Sequence, residues 1–159
     1  MLDKPFQIRG FEEQYLDQVV HINWTCLPEN YGSYFFMDLY KRFPKAFLIA
    51  LAEGKVAGYI MCRAETGFSE FGGLRVVRKG HVVSLAVLPE FRRMGIGRAL
   101  LEGALNGVLD YGVKECYLEV RVSNESAIRL YESFGFGSVT KLRGYYRDGE
   151  EALVMCKRF

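Results

Sequence analysis

The stretch from Gly80 to Glu102, GHVVSLAVLPEFRRMGIGRALLE, constrains this chain more than any other. His81 to Leu88 is an almost unbroken β-branched and aliphatic run, the pattern of a strand buried on both faces. Pro89 ends it, because proline has no amide to donate onward. The period then changes. Leu100, Leu101, Ala104, Leu105, Val108 and Leu109 recur at helical spacing, which predicts a helix starting near Gly95. The turn between strand and helix is Arg92-Arg93-Met94-Gly95-Ile96-Gly97, followed by Arg98. Glycines at a helix start let the backbone come close to a ligand, while the first free N–H groups and the positive dipole end point towards it. Such a turn suits a phosphate group.

Two well-known phosphate loops do not match. A P-loop needs Lys-Ser/Thr after its last glycine, where Arg98-Ala99 stands, and the dinucleotide fingerprint needs a third small residue at Leu100. Taken alone, the stretch also reads as a glycine-tolerant turn with solvated arginines.

At 159 residues, half of them hydrophobic and with 12 Phe and 10 Tyr, the chain is expected to form a single domain over residues 1–159 with a full core. A formal charge of +2 gives no argument for a nucleic-acid partner. Cys26, Cys62, Cys116 and Cys156 form no Cys-x-x-Cys pair, so neither a zinc site nor a redox motif is expected, and four buried reduced thiols are. The start, Met-Leu-Asp-Lys, lacks the apolar core of a signal peptide, and no 18-residue apolar run occurs. A cytoplasmic protein without a membrane partner is the expectation.

Along the chain, Phe6 to Arg9 reads as a first strand, and Phe11, Tyr15, Leu16, Val19, Val20 and Ile22 mark a helix face. His21 and Trp24 lie on that helix and are expected to pack. The helix stops near Cys26, since Leu27 precedes Pro28, so Leu27-Pro28-Glu29-Asn30-Tyr31-Gly32 is a loop with the apolar and acidic groups of a substrate contact. The alternative is a helix corner with Leu27 and Tyr31 tucked into core. A short helix over Tyr34 to Arg42 and two strands, Ala46 to Glu53 and Val56 to Glu65, follow. Thr66 to Lys79 is either a mobile loop or a bulged extension of that hairpin. After the central strand and helix come a strand over Glu115 to Val122, a helix capped by Ser123 or Asn124, and two strands, Phe136 to Tyr145 and Leu153 to Lys157. The Asp148-Gly149 pair between them is a hairpin signal. The class is α/β (α+β): a mixed, mostly antiparallel sheet of about seven strands flanked by about four helices.

These motifs resemble those of the GNAT acetyltransferases. Arg92 to Gly97 match Gln/Arg-x-x-Gly-x-Gly/Ala, the pyrophosphate loop of that superfamily, at every fixed position. Leu27 to Tyr31 look like the substrate loop of NatA-type N-terminal acetyltransferase catalytic subunits, of the archaeal Ard1/RimI-like kind. The resemblance also takes in Gly80 to Leu88, Tyr117 to Asn124 continuing to Tyr131, and Gly144 to Glu150. It implies acetyl-CoA as cosubstrate, with its pyrophosphate on the amides of Arg92, Arg93, Met94, Gly95, Ile96, Gly97 and Arg98, and its pantetheine arm along Leu85, Ala86 and Val87 and at Asn124. It places Tyr131 near the CoA sulfur as proton donor and brings His81 and Glu119 forward as the base, acting through an ordered water. Glu29 and Tyr31, with Leu27 and Pro28, and Tyr145 and Tyr146 from the last hairpin would hold the peptide. No metal is implied.

The chemistry agrees with such an enzyme. A peptide α-amine has a reference pKa of about 7.7–8.0 against about 10.4 for lysine, so modest base help suffices near neutral pH. Backbone amides near Leu85 and Ala86 would polarise the thioester carbonyl. Structural roles stand beside these: Glu119 as a solvated strand residue, His81 as a strand-opening residue bonded to a loop, Tyr131 as part of the apolar stripe it lies on, and the hairpin tyrosines as cross-strand packing. The expected substrate is a nascent or mature protein N-terminus, the ribosome being one place to meet it. The chain ends at Phe159 without the charged tail of eukaryotic subunits, so no obligatory auxiliary subunit is implied. Gly97 stands where NatA-type subunits often carry alanine, which leaves substrate range open. A lysine or small-amine acetyltransferase of the same fold and a non-catalytic CoA-binding module are the rival readings.

Overall fold

A computed structural model describes residues 5–159; Met1–Lys4, read above for the lack of a signal sequence, lie outside the described residues. In chain order the elements are β1 (Gln7–Gly10), α1 (Leu16–Cys26), α2 (Ser33–Arg42), β2 (Phe47–Ala52), β3 (Lys55–Phe68), β4 (Val76–Val87), α3 (Ile96–Leu109), β5 (Glu115–Arg121), α4 (Glu125–Ser133), β6 (Gly137–Leu142) and β7 (Ala152–Arg158). The strands form one seven-stranded sheet in the order β1-β2-β3-β4-β5-β7-β6. β4 and β5 run parallel, pairing Lys79 with Glu115, Gly80 with Cys116 and His81 with Tyr117, while the β1–β2, β2–β3, β5–β7 and β6–β7 pairs are antiparallel. A parallel pair needs a crossover, and α3 supplies it.

The chain divides into two compact units, residues up to Arg63 with Val83–Tyr111, and Ala64–Val82 with Gly112–Phe159. In the first, Phe11 stacks on Phe47 at 4.2 Å and is buried, although it precedes the helix instead of opening it. Ile96, Leu100, Leu101, Ala104 and Val108 form the buried stripe of α3, as the heptad-like spacing requires. The helix lies close: a Cβ on Gly107 would fall 1.8 Å from the Lys45 carbonyl oxygen. In the second unit, Cys116, Leu118 and Val120 of β5 are buried with Val154, Met155 and Cys156 of β7.

Some expectations need correcting, and two alternatives left open by the sequence are decided. Val19, Ile22 and Asn23 are the buried residues of α1, and at 100° per residue Trp24 falls off that face, leaving it 63% exposed with His21 exposed beside it. Neither packs. The glycine-bearing stretch after Glu65 is hairpin rather than loop: β3 runs on to Phe68 and β4 starts at Val76, so only residues 69–75 turn. Asn124, not Ser123, caps α4, its side-chain oxygen accepting from the Ala127 amide at 3.2 Å. All four cysteines are free, but Cys26 is only partly buried. Among the described residues no helix is long and apolar enough to cross a membrane.

Candidate active site

In the first unit the chain leaves β4 through Leu88 and a 3-10 turn over Pro89–Phe91 into the glycine loop. Arg92 is extended, Arg93 has φ +65° and Gly95 φ +87°, so the backbone reverses twice before α3 begins at Ile96. Left-handed turns of this kind direct backbone N–H groups towards a concavity that suits an anion. No side chain caps this helix start, and the amides of its first turn have no intrahelical acceptor. Arg92 is tied down at its base, Nε donating to the Val87 carbonyl at 2.9 Å. The Cys26 thiol lies 3.7 Å from the same carbonyl, and burial pushes its pKa up.

The loop after α1 also belongs to the first unit. Asn23, fully buried, donates to the Glu29 carbonyl at 3.1 Å and accepts from the Tyr31 amide at 3.2 Å. Tyr31 stacks on Phe35 at 4.7 Å. The loop that carries Leu27, Pro28, Glu29 and Tyr31 is therefore built to one shape, with Glu29 and Tyr31 partly exposed.

The second unit holds an ionisable cluster on β5 and its neighbours. His81 Nε2 lies 2.7 Å from Glu119 Oε2, and the two side chains are only 11% and 17% exposed. The imidazole stacks face to face on Tyr117 at 4.3 Å, and its Nδ1 is buried with no hydrogen-bond partner. Tyr117 donates its hydroxyl proton to Glu65; burial first, and then that carboxylate, push its pKa far above the usual phenol value. Lys79 sits 5.0 Å over the other part of the cluster, the Tyr117 ring, and its ammonium bonds the Glu70 carboxylate and the Phe68 carbonyl, each at 2.7 Å. Glu115 accepts from Ser69 Oγ and the Glu70 amide. Every member but one ring nitrogen is thus engaged in a structural bond.

Also in this unit, Tyr131 is buried and packs edge-on against Phe136 at 6.0 Å. Tyr145 and Tyr146 meet edge-on at 5.0 Å in the turn between β6 and β7. Arg121 holds that turn, bonding Asp148 and Glu150 and stacking over the Tyr146 ring at 4.0 Å.

A sequence profile described as the acetyltransferase (GNAT) family matches residues 16–136. The chain belongs to the GNAT family. It is 49% identical over 154 residues to an N-alpha-acetyltransferase of Sulfurisphaera tokodaii, covering 96% of this chain and 92% of the relative. Among solved structures it resembles Ard1 from Thermoplasma volcanium, with a TM-score of 0.81, 30% identity and 97% of each chain covered. It also resembles Arabidopsis thaliana Naa50 in complex with a bisubstrate analogue, CoA-Ac-MVNAL, with a TM-score of 0.80, 26% identity and 98% and 99% coverage. The double backbone reversal at Arg93 and Gly95 and the uncapped start of α3 fit the pyrophosphate of the acetyl-CoA that a GNAT enzyme uses.

Several residues of these clusters carry no clear mark in the sequence. Tyr117, Glu65, Lys79 and Glu115 were not singled out, yet Glu115, Tyr117, Glu119 and Arg121 alternate along β5. Four polar or ionisable side chains at period two in a strand whose other face is apolar was the available signal. Asn23 carried no such mark, since a single Asn in a helix face looks like any surface residue.

Proposed function

We propose that this chain transfers the acetyl group of acetyl-CoA to the α-amine of a protein N-terminus, in a direct ternary complex. The observation that carries it is the His81–Glu119 pair with its bare Nδ1. An ionised carboxylate can only accept, so in the neutral imidazole the hydrogen sits on Nε2, facing Glu119. Nδ1 is then the basic atom. Glu119 orients the ring and stabilises the imidazolium that forms, and the buried, unpartnered Nδ1 accepts the proton that the amine gives up, through one water that reaches it when substrate binds. This division of labour assigns relay to His81 and orientation to Glu119.

Acetyl-CoA supplies an acyl group activated as a thioester. The amides of Arg92 to Gly97 and the arginines Arg92, Arg93 and Arg98 hold its pyrophosphate; Leu85, Ala86, Val87 and Asn124 hold its arm. As the C–N bond forms and the C–S bond breaks, Tyr131 gives its hydroxyl proton to the sulfur. Tyr117 cannot take that part, because its proton is engaged by Glu65. Leu27, Pro28, Glu29 and Tyr31, with Tyr145 and Tyr146, hold the first residues of the substrate. The enzyme works as a single chain in the cytoplasm, meeting protein N-termini as nascent or finished chains, and resembles the NatA type.

The test is acetyl transfer from labelled acetyl-CoA to two peptides, one with a free Ser or Met α-amine and no lysine, the other N-blocked with an internal lysine. Product from the first alone is expected. Product mainly from the second would replace this reading with lysine acetylation, and product from neither would leave a CoA-binding protein.

A further inference from the structure

We infer that Asn23 is a positioning residue that sets the peptide-binding loop against the strand holding the acyl donor. The inference rests on the proposed function, in which Glu29 and Tyr31 meet the peptide and Leu85–Val87 meet acetyl-CoA. Asn23 has a full set of partners. One amide hydrogen goes to the Glu29 carbonyl at 3.1 Å, the other to the Tyr59 hydroxyl at 3.1 Å, and the amide oxygen accepts from the Tyr31 N–H at 3.2 Å. Its own carbonyl takes the Leu27 amide at 3.0 Å and the Asn30 side chain at 3.2 Å. One residue on α1 therefore holds the loop at Leu27, Glu29, Asn30 and Tyr31.

Chemistry fixes the direction of the chain of bonds. Tyr59 accepts from Asn23, so its single hydrogen points to Ser84 Oγ, 2.6 Å away. Burial raises the Tyr59 pKa to about 12, so the phenol keeps that hydrogen at any working pH. Ser84 immediately precedes Leu85. The bonds thus run from the loop facing the peptide, through Asn23 and Tyr59, to the first residue before the acetyl-CoA segment, all within one unit and all but the loop end buried. Such a network is worth more than separate contacts, because each partner left behind by a deletion is a buried, unsatisfied group. Its function is to fix the distance between nucleophile and acyl carbon, which a geometry error of an ångström spoils.

The experiment measures steady-state kinetics of the wild type, Asn23→Ala and Asn30→Ala on the free α-amine peptide, with amide exchange at Tyr31. Asn30 is exposed, so its variant keeps the fold even where Asn23→Ala does not. In Asn23→Ala the kcat/KM for peptide should fall about tenfold to a hundredfold, the penalty for a misplaced reactant, while the KM for acetyl-CoA stays within about twofold. Asn30→Ala should lower the peptide kcat/KM the same way, by less. Faster exchange at Tyr31 should accompany both changes. A faster Tyr31 amide with an unmoved peptide kcat/KM would overturn the inference, as would a rise in the KM for acetyl-CoA equal to the loss in peptide kcat/KM. A wild type inactive on the peptide would overturn the proposed function and this inference with it, whereas an active wild type with indifferent variants overturns this inference alone.

Discussion

In the proposed mechanism His81 is the residue on which the chemistry turns, and its two ring nitrogens have different surroundings. Nε2 has Glu119 at 2.7 Å, and Nδ1 has no partner. Replacing His81 by Ala should lower kcat by about 10²- to 10⁴-fold, the usual worth of a positioned base. Glu119→Gln should cost less, because the Gln carbonyl still accepts from Nε2 and keeps the tautomer; pH–rate profiles of the two variants check the order. If Glu119→Gln proves the more damaging, the carboxylate itself takes the proton. A second residue, Gly95, holds φ +87° with nothing near its missing Cβ, so the objection to a side chain there is conformational and not steric. Gly95→Ala should cost about 1 kcal/mol in backbone strain and raise the KM for acetyl-CoA, with the peptide KM little changed. Thermal melts and two-substrate kinetics would separate the two effects.

At the scale of elements, two attachments decide whether the β6–β7 turn and α3 keep their places. The turn between β6 and β7 is held by Arg121 from β5 and by the Ser123 amide on Glu150. The Glu150 amide and Arg121 hold the Asp148 carboxyl below its ordinary range, while Ser123 and Arg121 do the same for Glu150. Depressed folded-state values mean that the unfolded chain binds protons first. The contribution of these bonds is therefore complete above the ordinary carboxylate pKa of about 4 and fades as pH falls through the lower folded values. Protection of the amides in residues 143–151, relative to their intrinsic exchange at the same pH, should fall below about pH 4, and Arg121→Ala should lower it likewise at neutral pH. Neither change should alter exchange in α3. That helix depends instead on close approach: Gly107→Ala would drive a methyl group into the Lys45 carbonyl. Backbone cannot yield as a side chain does, so a loss of at least about 2 kcal/mol is expected in denaturant unfolding. Gly103→Ala meets side-chain tips, Leu48 Cδ1 at 2.7 Å and Ile8 Cγ2 at 4.0 Å, and should cost less.

The molecule as a whole carries buried acids that favour their neutral forms. Burial pushes the Cys62 thiol up to about 12 and does the same for Cys156, and Tyr59 also rises to about 12. Below the ordinary thiol value these groups are neutral folded or unfolded, and their contribution is complete. Above about pH 9 the unfolded chain ionises first and binds fewer protons, so stability falls as pH rises towards the folded values. The melting temperature should drop between pH 8 and about pH 10.5, and Cys62→Ala should flatten that slope whatever it does to stability at pH 7. The GNAT architecture that buries these groups was legible before any coordinates. Strand period two, helix period 3.6 and the stops at Pro28 and Pro89 are local rules, so element order and the glycine loop followed from the chain alone. His81 and Glu119 came forward from the resemblance in motif, not from spacing, since they lie far apart in sequence. Their contact and the stacking on Tyr117 arise from the register of β4 beside β5, which places His81 opposite Tyr117, and the Tyr117–Glu65 bond needs β3 as well, since that strand carries Glu65. Register is a property of paired strands, and no single strand encodes its partner. The same limit hid Asn23, whose value lies in partners on a loop and a strand that only folding brings within 3.2 Å. Local pattern determined which elements form and where a phosphate could bind; non-local hydrogen bonds decided which side chains share a proton and which loop is held still.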